Sequence, residues 1–193
     1  MAGNEGTRRI IVGITGASGA IYGIELLKVL RTAGVESHLI ITDAAARTIP
    51  LETDYTIPDV QALATGSYEE GDISAPVASG SFLTHGMVVA PCSMKSLSAI
   101  ANSYAENLLV RAADVCLKEG RKLILLVRET PLHRGHLRLM SMAAELGAII
   151  LPPIPAFYHR PQSIQEIVHQ TVGKTLDQLG IEHELYRRWG EPG

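Results

Sequence analysis

The chain has 193 residues, 46% of them hydrophobic and 19% charged, which is enough for one well-buried core and short for two. A formal charge of −3 offers no general attraction to nucleic acid or anionic lipid, and no apolar run approaches a membrane span. The opening Met1 to Thr7 is polar and lacks the apolar core of a signal peptide, so composition predicts a soluble, cytoplasmic protein of a single domain, 1-193, with a flexible N-terminus over 1-7. The two cysteines, Cys92 and Cys116, have neither metal-ligand spacing nor disulfide density, and they read as reduced and buried.

In chain order, Ile10 to Ile14 is a β-branched run of the kind buried on both faces of a parallel sheet. It breaks into Thr15-Gly16-Ala17-Ser18-Gly19-Ala20, after which Ile21, Ile24, Leu26, Leu27 and Leu30 recur at helical spacing. A turn of small residues at a helix N-terminus leaves backbone N–H groups uncovered beside the positive end of the helix dipole, which suits a phosphate. The turn has neither Gly-x-Gly-x-x-Gly nor Gly-Lys-Ser/Thr, and a plain tight connection is the competing reading. After Gly34, Val35 to Thr42 reads as a second parallel strand. Ligands of such sheets collect beyond the C-terminal strand ends, so Thr42 either reaches the same phosphate or caps the short helix that starts at Asp43-Ala44-Ala45-Ala46-Arg47.

From Pro50 to Ser81 the pattern loosens into a long loop with a short helix near Asp59 to Ala64. Glu52 within it is either a site residue or a solvated acid. Ala78-Ser79-Gly80-Ser81 suits a backbone packed closely against a ligand or a neighbouring subunit. Gly86 to Pro91 is the third strand, and Cys92-Ser93-Met94-Lys95-Ser96-Leu97-Ser98 turns it into a helix with Ser93, Ser96 and free N–H groups at its start. Two such turns point to a nucleotide or flavin.

The helix from about Glu106 to Glu119 is apolar over much of its circumference, with Arg111, Asp114 and Lys118 as a narrow polar stripe. The stripe is either a solvated face with an Arg-Asp pair or, on a helix buried in an assembly, a set of groups aimed at an anion. Lys122 to Val127 is the fourth strand. Arg128-Glu129 follows at its tip, where this architecture puts chemistry, and is the strongest catalytic candidate.

Leu132 to Leu146 is helical in period, with His133, Arg134, His136 and Arg138 as a basic surface to which no metal is assigned. Gly147 to Leu151 is the fifth strand. A stiff loop, Pro152 to Pro161, presents Phe157-Tyr158, and Ser163 with Glu166 forms a capping box for a last helix to about Leu179 that carries Lys174. In the C-terminal tail, 181-193, Trp189 beside Arg187-Arg188 either folds back as a lid or makes a subunit contact.

This order of elements predicts an α/β fold, a flavodoxin-like (Rossmann-like) doubly wound parallel sheet in a three-layer αβα arrangement. The chain also resembles the flavin prenyltransferases of the UbiX type over essentially its whole length. The resemblance rests on Thr15 to Ala20, Leu51-Glu52-Thr53, Ala78-Ser79-Gly80-Ser81, Pro91-Cys92-Ser93-Met94-Lys95, Arg111 to Val115, Leu117-Lys118-Glu119, Arg128-Glu129-Thr130-Pro131, Pro155 to His159 with Pro161-Gln162-Ser163, and Arg188-Trp189, in that order. It implies an enzyme that transfers a dimethylallyl group from dimethylallyl phosphate to N5 and C6 of reduced FMN without a metal. The prenylated FMN would serve a UbiD-type decarboxylase, and the enzyme would be a homododecamer with sites between subunits.

By position, the resemblance implies that Gly16, Ala17, Ser18, Thr42, Ser93, Met94, Lys95, Ser96 and Arg128 hold FMN, with Ser18 close to N5. It implies that Lys118, Arg128, Tyr158 and Lys174 grip the substrate phosphate, with Trp189, Ser79 and Gly80 on the substrate side. The resemblance further implies that Arg111, Glu52 and Glu129 complete the site, with Glu129 exchanging protons with the leaving phosphate and the flavin adduct. Two departures stand out: Thr42-Asp43 replaces the family's usual Ser-Lys, and Lys174 stands where many members have arginine. Two other readings remain: an FMN-dependent cysteine decarboxylase, whose Asn-rich signature after the third strand is missing, and a non-catalytic flavin-binding subunit of an aromatic-acid decarboxylase.

Overall fold

Strands Arg9–Ile14 (β1), Glu36–Ile41 (β2), Gly66–Glu69 (β3), Gly86–Cys92 (β4), Lys122–Val127 (β5) and Ile149–Ile150 (β6) form one sheet in the order β3-β2-β1-β4-β5-β6, with every pairing parallel. The computed structural model describes residues 8–190, so the expected flexibility of 1-7 lies outside the described residues. Alternation along the strands divides the core. Ile11, Ile40, Met87, Val89, Leu123 and Leu125 face one layer of helices, and Ile10, Val12, Leu39, Val88, Ile124 and Leu126 face the other. On the first face lie α4 (Met94–Ala101), α5 (Leu108–Lys118) and α6 (Arg134–Glu145); on the second lie α1 (Ala20–Thr32), α2 (Asp43–Glu52) and α7 (Ile164–Leu179). The three layers match the flavodoxin-like expectation.

Several elements differ from the sequence reading. Strand β3 lies inside the stretch expected to be a loop; its burial alternates and it sits at the sheet edge, so no apolar run marks it. Without it, the remaining strands keep the order expected of a flavodoxin-like sheet. The short helix of that stretch is Ile57–Gln61 (α3), set by a capping box between Thr56 and Asp59. Helix α2 continues past Pro50 to Glu52, and the fifth expected strand shortens to Ile149–Ile150. At α7, Ser163 Oγ accepts from Glu166 N at 3.2 Å as expected, but Glu166 reaches one residue further back, to Gln162 N at 2.9 Å.

The apolar circumference of α5 also needs a different explanation. Leu108, Leu109, Val110, Ala112, Ala113, Val115 and Cys116 are all buried within this one chain, so the helix offers no argument for assembly. The exposed apolar side chains lie elsewhere, among them Leu132, Leu137, Leu146, Ile154, Phe157 and Ile164.

Candidate active site

The strand order reverses between β1 and β4, and ligands of doubly wound sheets bind in the crevice outside such neighbouring strand ends. Thr15, one residue past β1 and 1% exposed, joins the two ends. Its hydroxyl donates to the Pro91 carbonyl at 2.7 Å and accepts from Ser93 N at 2.8 Å, which fixes the turn before α1 against the turn before α4. Ser93 then caps α4, its Oγ accepting from Ser96 N at 3.3 Å, with the Ser96 hydroxyl 3.2 Å away.

Thr42 has the capping role. Its Oγ1 accepts from Ala45 N at 3.2 Å, while its own N–H donates to the Ile14 carbonyl at 3.0 Å. The cap uses an oxygen lone pair, so the hydroxyl proton stays available to an anion and the phosphate role is compatible with it. Gly16 passes so close to α2 that an added Cβ would lie 2.4 Å from the Ala44 Cβ. These turns line a cleft of about 560 Å³ with Gly16, Thr42, Asp43, Ala44, Arg47, Ser93, Lys95 and Ser96 on its walls.

The start of α1 is arranged differently. Glu52, at the end of α2, accepts from Gly19 N at 2.7 Å, so a carboxylate already takes one N–H of the helix start whose small-residue turn suits a phosphate. Ser18 is exposed on the same turn. Arg128 and Glu129 are exposed at the tip of β5; the Arg128 N–H donates to the Cys92 carbonyl at 3.0 Å, and Glu129 Oε1 accepts from Thr130 N at 2.9 Å. Burial pushes the Tyr22 phenol above its ordinary 10.0, opposed by the charge of Arg128, which places that cation within electrostatic reach of α1.

The other expected substrate residues fall into two separate groups. On α5, Arg111 pairs with Asp114 at 3.1 Å and donates from Nε to the Ala78 carbonyl at 3.1 Å. The solvated-pair reading of the stripe therefore describes part of it. Lys118 pairs with Glu119 at 2.5 Å, and Gly80 lies against both, with Ser79 Oγ 2.8 Å from Ser81 Oγ. Around α7, the Tyr158 ring before the helix and the Trp189 ring after it meet edge to face at 5.5 Å, and on the helix itself Lys174 lies 3.6 Å from Asp177. Lys118 precedes the start of β5 and Arg128 follows its end, so a six-residue strand separates them by about 20 Å. One chain does not bring the expected phosphate-gripping set together.

Several residues around the cleft escaped the sequence reading, Arg47 and Glu106 on its wall among them. Thr15 is a hydroxyl at a strand tip, the same signal that singled out Thr42. Asn107 caps α5, its Oδ1 accepting from Val110 N at 2.9 Å, and an Asn before an apolar helical run is a readable sign. Glu70 accepts from Asn107 Nδ2 and from Asp43 N, both at 2.6 Å, and nothing in its loop sequence marks it. Tyr22 was hidden among helical residues.

The histidines at the start of α6 have a local role, His133 Nδ1 accepting from Gly135 N at 3.0 Å. Among the described residues no cluster of His, Cys, Asp or Glu is arranged to hold a metal. Both cysteines are free and buried, and burial pushes the thiols up to about 12 for Cys92 and about 11 for Cys116, which excludes a resting thiolate nucleophile.

Two capped turns stitched together at the switch point of a doubly wound sheet define an α/β protein built to hold an anionic nucleotide-like ligand. A flavoprotein-family profile matches residues 2–176. A flavin prenyltransferase UbiX from Thauera aromatica is 58% identical over 181 residues, spanning 94% of this chain and 93% of that one. The crystal structure of AnUbiX (PadA1) in complex with FMN and dimethylallyl pyrophosphate superposes with a TM-score of 0.95 at 46% identity, covering 97% of this chain and 100% of that one. A dodecameric FMN-dependent UbiX-like decarboxylase from Escherichia coli O157:H7 superposes with a TM-score of 0.93 at 49% identity, covering 95% and 100%. The chain belongs to the flavoprotein family and, within it, to the UbiX-type flavin prenyltransferases. No helix among the described residues is long and apolar enough to cross a membrane.

Proposed function

We propose that this chain joins the dimethylallyl group of dimethylallyl phosphate to N5 and C6 of reduced FMN, and that a UbiD-type decarboxylase in the cytoplasm receives the product. One observation carries the reading: 58% identity to a flavin prenyltransferase across 94% of the chain.

The cleft suits FMN by its donor chemistry. Hydroxyls of Thr42, Ser93 and Ser96, the backbone at the start of α4 and the cation Arg47 favour an anion there, while Lys95 is paired with Glu106 and the carboxylates of Asp43, Glu70 and Glu106 share the wall and oppose it. Gly16, Ala17, Ser18, Thr42, Ser93, Met94, Lys95, Ser96 and Arg128 would hold the flavin nucleotide. When bound, reduced FMN supplies N5 and C6 as the nucleophilic positions that accept the prenyl group.

The chain's own residues do the rest. Breaking an allylic C–O bond builds negative charge on the departing phosphate, and the fixed donors Lys118, Arg128, Tyr158 and Lys174 stabilise it better than water does. Glu129 would take up a proton displaced where a new bond forms and deliver it to the leaving phosphate, so that the proton count closes within the site. Tyr158 and Trp189 present aromatic faces to the positive carbon fragment and keep water from it, while Ser79 and Gly80 let a backbone wall approach. Arg111 and Glu52 hold the surrounding loops, as their bonds to Ala78 and Gly19 indicate. Because Lys118 and Arg128 lie at opposite ends of β5, this reading needs Lys118 of one copy to meet Arg128 of another, in a homododecamer like that of the E. coli relative.

The direct test is anaerobic incubation of the protein with reduced FMN and dimethylallyl phosphate, followed by mass analysis of the flavin. Gain of one dimethylallyl group is the expected outcome. A flavin of unchanged mass from well-folded protein overturns the proposal.

A further inference from the structure

Residues 181–190 turn back along α7, and one side chain gathers them. Asp177, 19% exposed at its side chain, accepts from Arg188 Nη2 at 2.8 Å and His183 Nε2 at 3.2 Å on Oδ1. On Oδ2 it accepts from the Tyr186 hydroxyl at 2.7 Å and Arg188 Nη1 at 3.3 Å. The returning segment lies directly on the helix: a Cβ at Gly173 would come within 2.6 Å of the Tyr186 ring and 2.7 Å of the His183 ring. Trp189 follows Arg188 immediately and rests edge to face on Tyr158 at 5.5 Å, although 82% of it is exposed. The indole is held by what anchors its neighbour more than by burial of its own surface.

The saturation of Asp177 has a second consequence. An ionised carboxylate has about four acceptor sites, and Arg188, Tyr186 and His183 occupy them. Lys174 Nζ, at 3.6 Å from Oδ2, is outside hydrogen-bond distance yet inside strong Coulomb range. It is drawn toward the carboxylate without a hydrogen bond to any of the described residues. An arginine fork at position 174 would compete with Arg188 for the same oxygens, so a lysine suits this carboxylate.

We propose that Asp177 is a positioning residue that clamps the tail onto α7, setting Trp189 against Tyr158 and holding Lys174 ready for the substrate phosphate. The Lys174 part rests on the prenyl-transfer reading above; the clamp does not. Trp189 is the single tryptophan of the chain, so its fluorescence reports the tail alone.

The experiment compares full-length wild type with Asp177→Asn, which preserves shape and removes the charge. Trp189 fluorescence anisotropy should fall as the tail loosens. With reduced FMN saturating, KM for dimethylallyl phosphate should rise about tenfold while kcat stays within about threefold, and FMN affinity should be unchanged. Tyr186→Phe, which removes only the 2.7 Å hydrogen bond, should shift both readouts in the same direction by about threefold or less, and it serves if the first variant does not fold. Unchanged anisotropy in the folded variants overturns the clamp. A fall in kcat at constant KM overturns the positioning of Lys174. Wild-type protein that transfers no prenyl group overturns the function and the Lys174 role with it, and the anisotropy still decides the clamp.

Discussion

The two ends of the proposed site are built in opposite ways. On the flavin side, buried hydroxyls and helix starts are locked by backbone hydrogen bonds around Thr15, Thr42 and Ser93, all inside one chain. On the prenyl-phosphate side, Lys118, Lys174, Tyr158 and Trp189 are exposed, held by ion pairs and ring contacts, and spread over different ends of the fold. The nucleotide cleft thus follows from the sheet topology of one chain, whereas the proposed phosphate grip would need assembly and the tail.

The largest effect that sharpens this contrast is chemical. Glu129→Gln leaves the flavin-side turns untouched and removes the proposed proton carrier, so kcat should fall about 10²–10⁴-fold with FMN affinity within about twofold. Stopped-flow prenylation with a parallel flavin titration measures both. Loss of FMN binding in step with activity would place Glu129 on the flavin side and erase the division.

Next comes Thr15→Val, which removes the stitch and keeps the volume. It leaves the Pro91 carbonyl short of one donor and the Ser93 N–H without its acceptor, at a cost of about 2–4 kcal/mol, seen in urea unfolding together with weakened FMN binding. Trp189→Ala should change unfolding by less than about 0.5 kcal/mol, because the indole is mostly exposed. Equal losses in the two variants would mean that the tail is as structural as the cleft.

Legibility in the sequence follows the same line. Strands buried on both faces, such as Ile10 to Ile14 and Lys122 to Val127, carry continuous apolar runs, and the hydroxyls at their tips could be read with them. Strand β3 could not, because an edge strand with alternating burial has no such run. The stripe Arg111, Asp114 and Lys118 was visible as a pattern, but its destination depends on where α5 ends relative to β5, a distance that spacing along a helix does not contain. The tail showed a tryptophan beside two arginines. That Asp177 anchors it needed the return of the chain onto Gly173.

A pH titration probes the tail's ionic anchor. Burial alone would raise the Asp177 carboxyl, yet hydrogen bonds from Arg188 and Tyr186 and the charge of Arg188 hold it well below its ordinary 3.8. A depressed carboxyl contributes stability above its unfolded value that is lost as pH falls through the folded one. Burial, and then the hydrogen bond and charge of Asp177, raise the Tyr186 phenol above its ordinary 10.0, so its contribution is present below that value and lost as pH climbs through the raised one. Trp189 anisotropy should therefore be flat from about pH 4 to pH 10 and fall outside that window. A step near neutrality would assign the anchor to a histidine instead.

The smallest expected effect concerns Asp43. It lies exposed on the wall of the cleft at the first turn of α2, where a carboxylate favours the helix dipole by about 0.3–1 kcal/mol but repels a phosphate. Its own N–H is engaged by Glu70, so a second carboxylate faces the same corner. Asp43→Lys should lower thermal stability slightly and tighten FMN binding about two- to fivefold at low salt, with the gain shrinking as ionic strength rises. If affinity does not change, the flavin phosphate lies away from this corner and closer to Ser93 and Ser96, which would concentrate the flavin side around the Thr15 stitch.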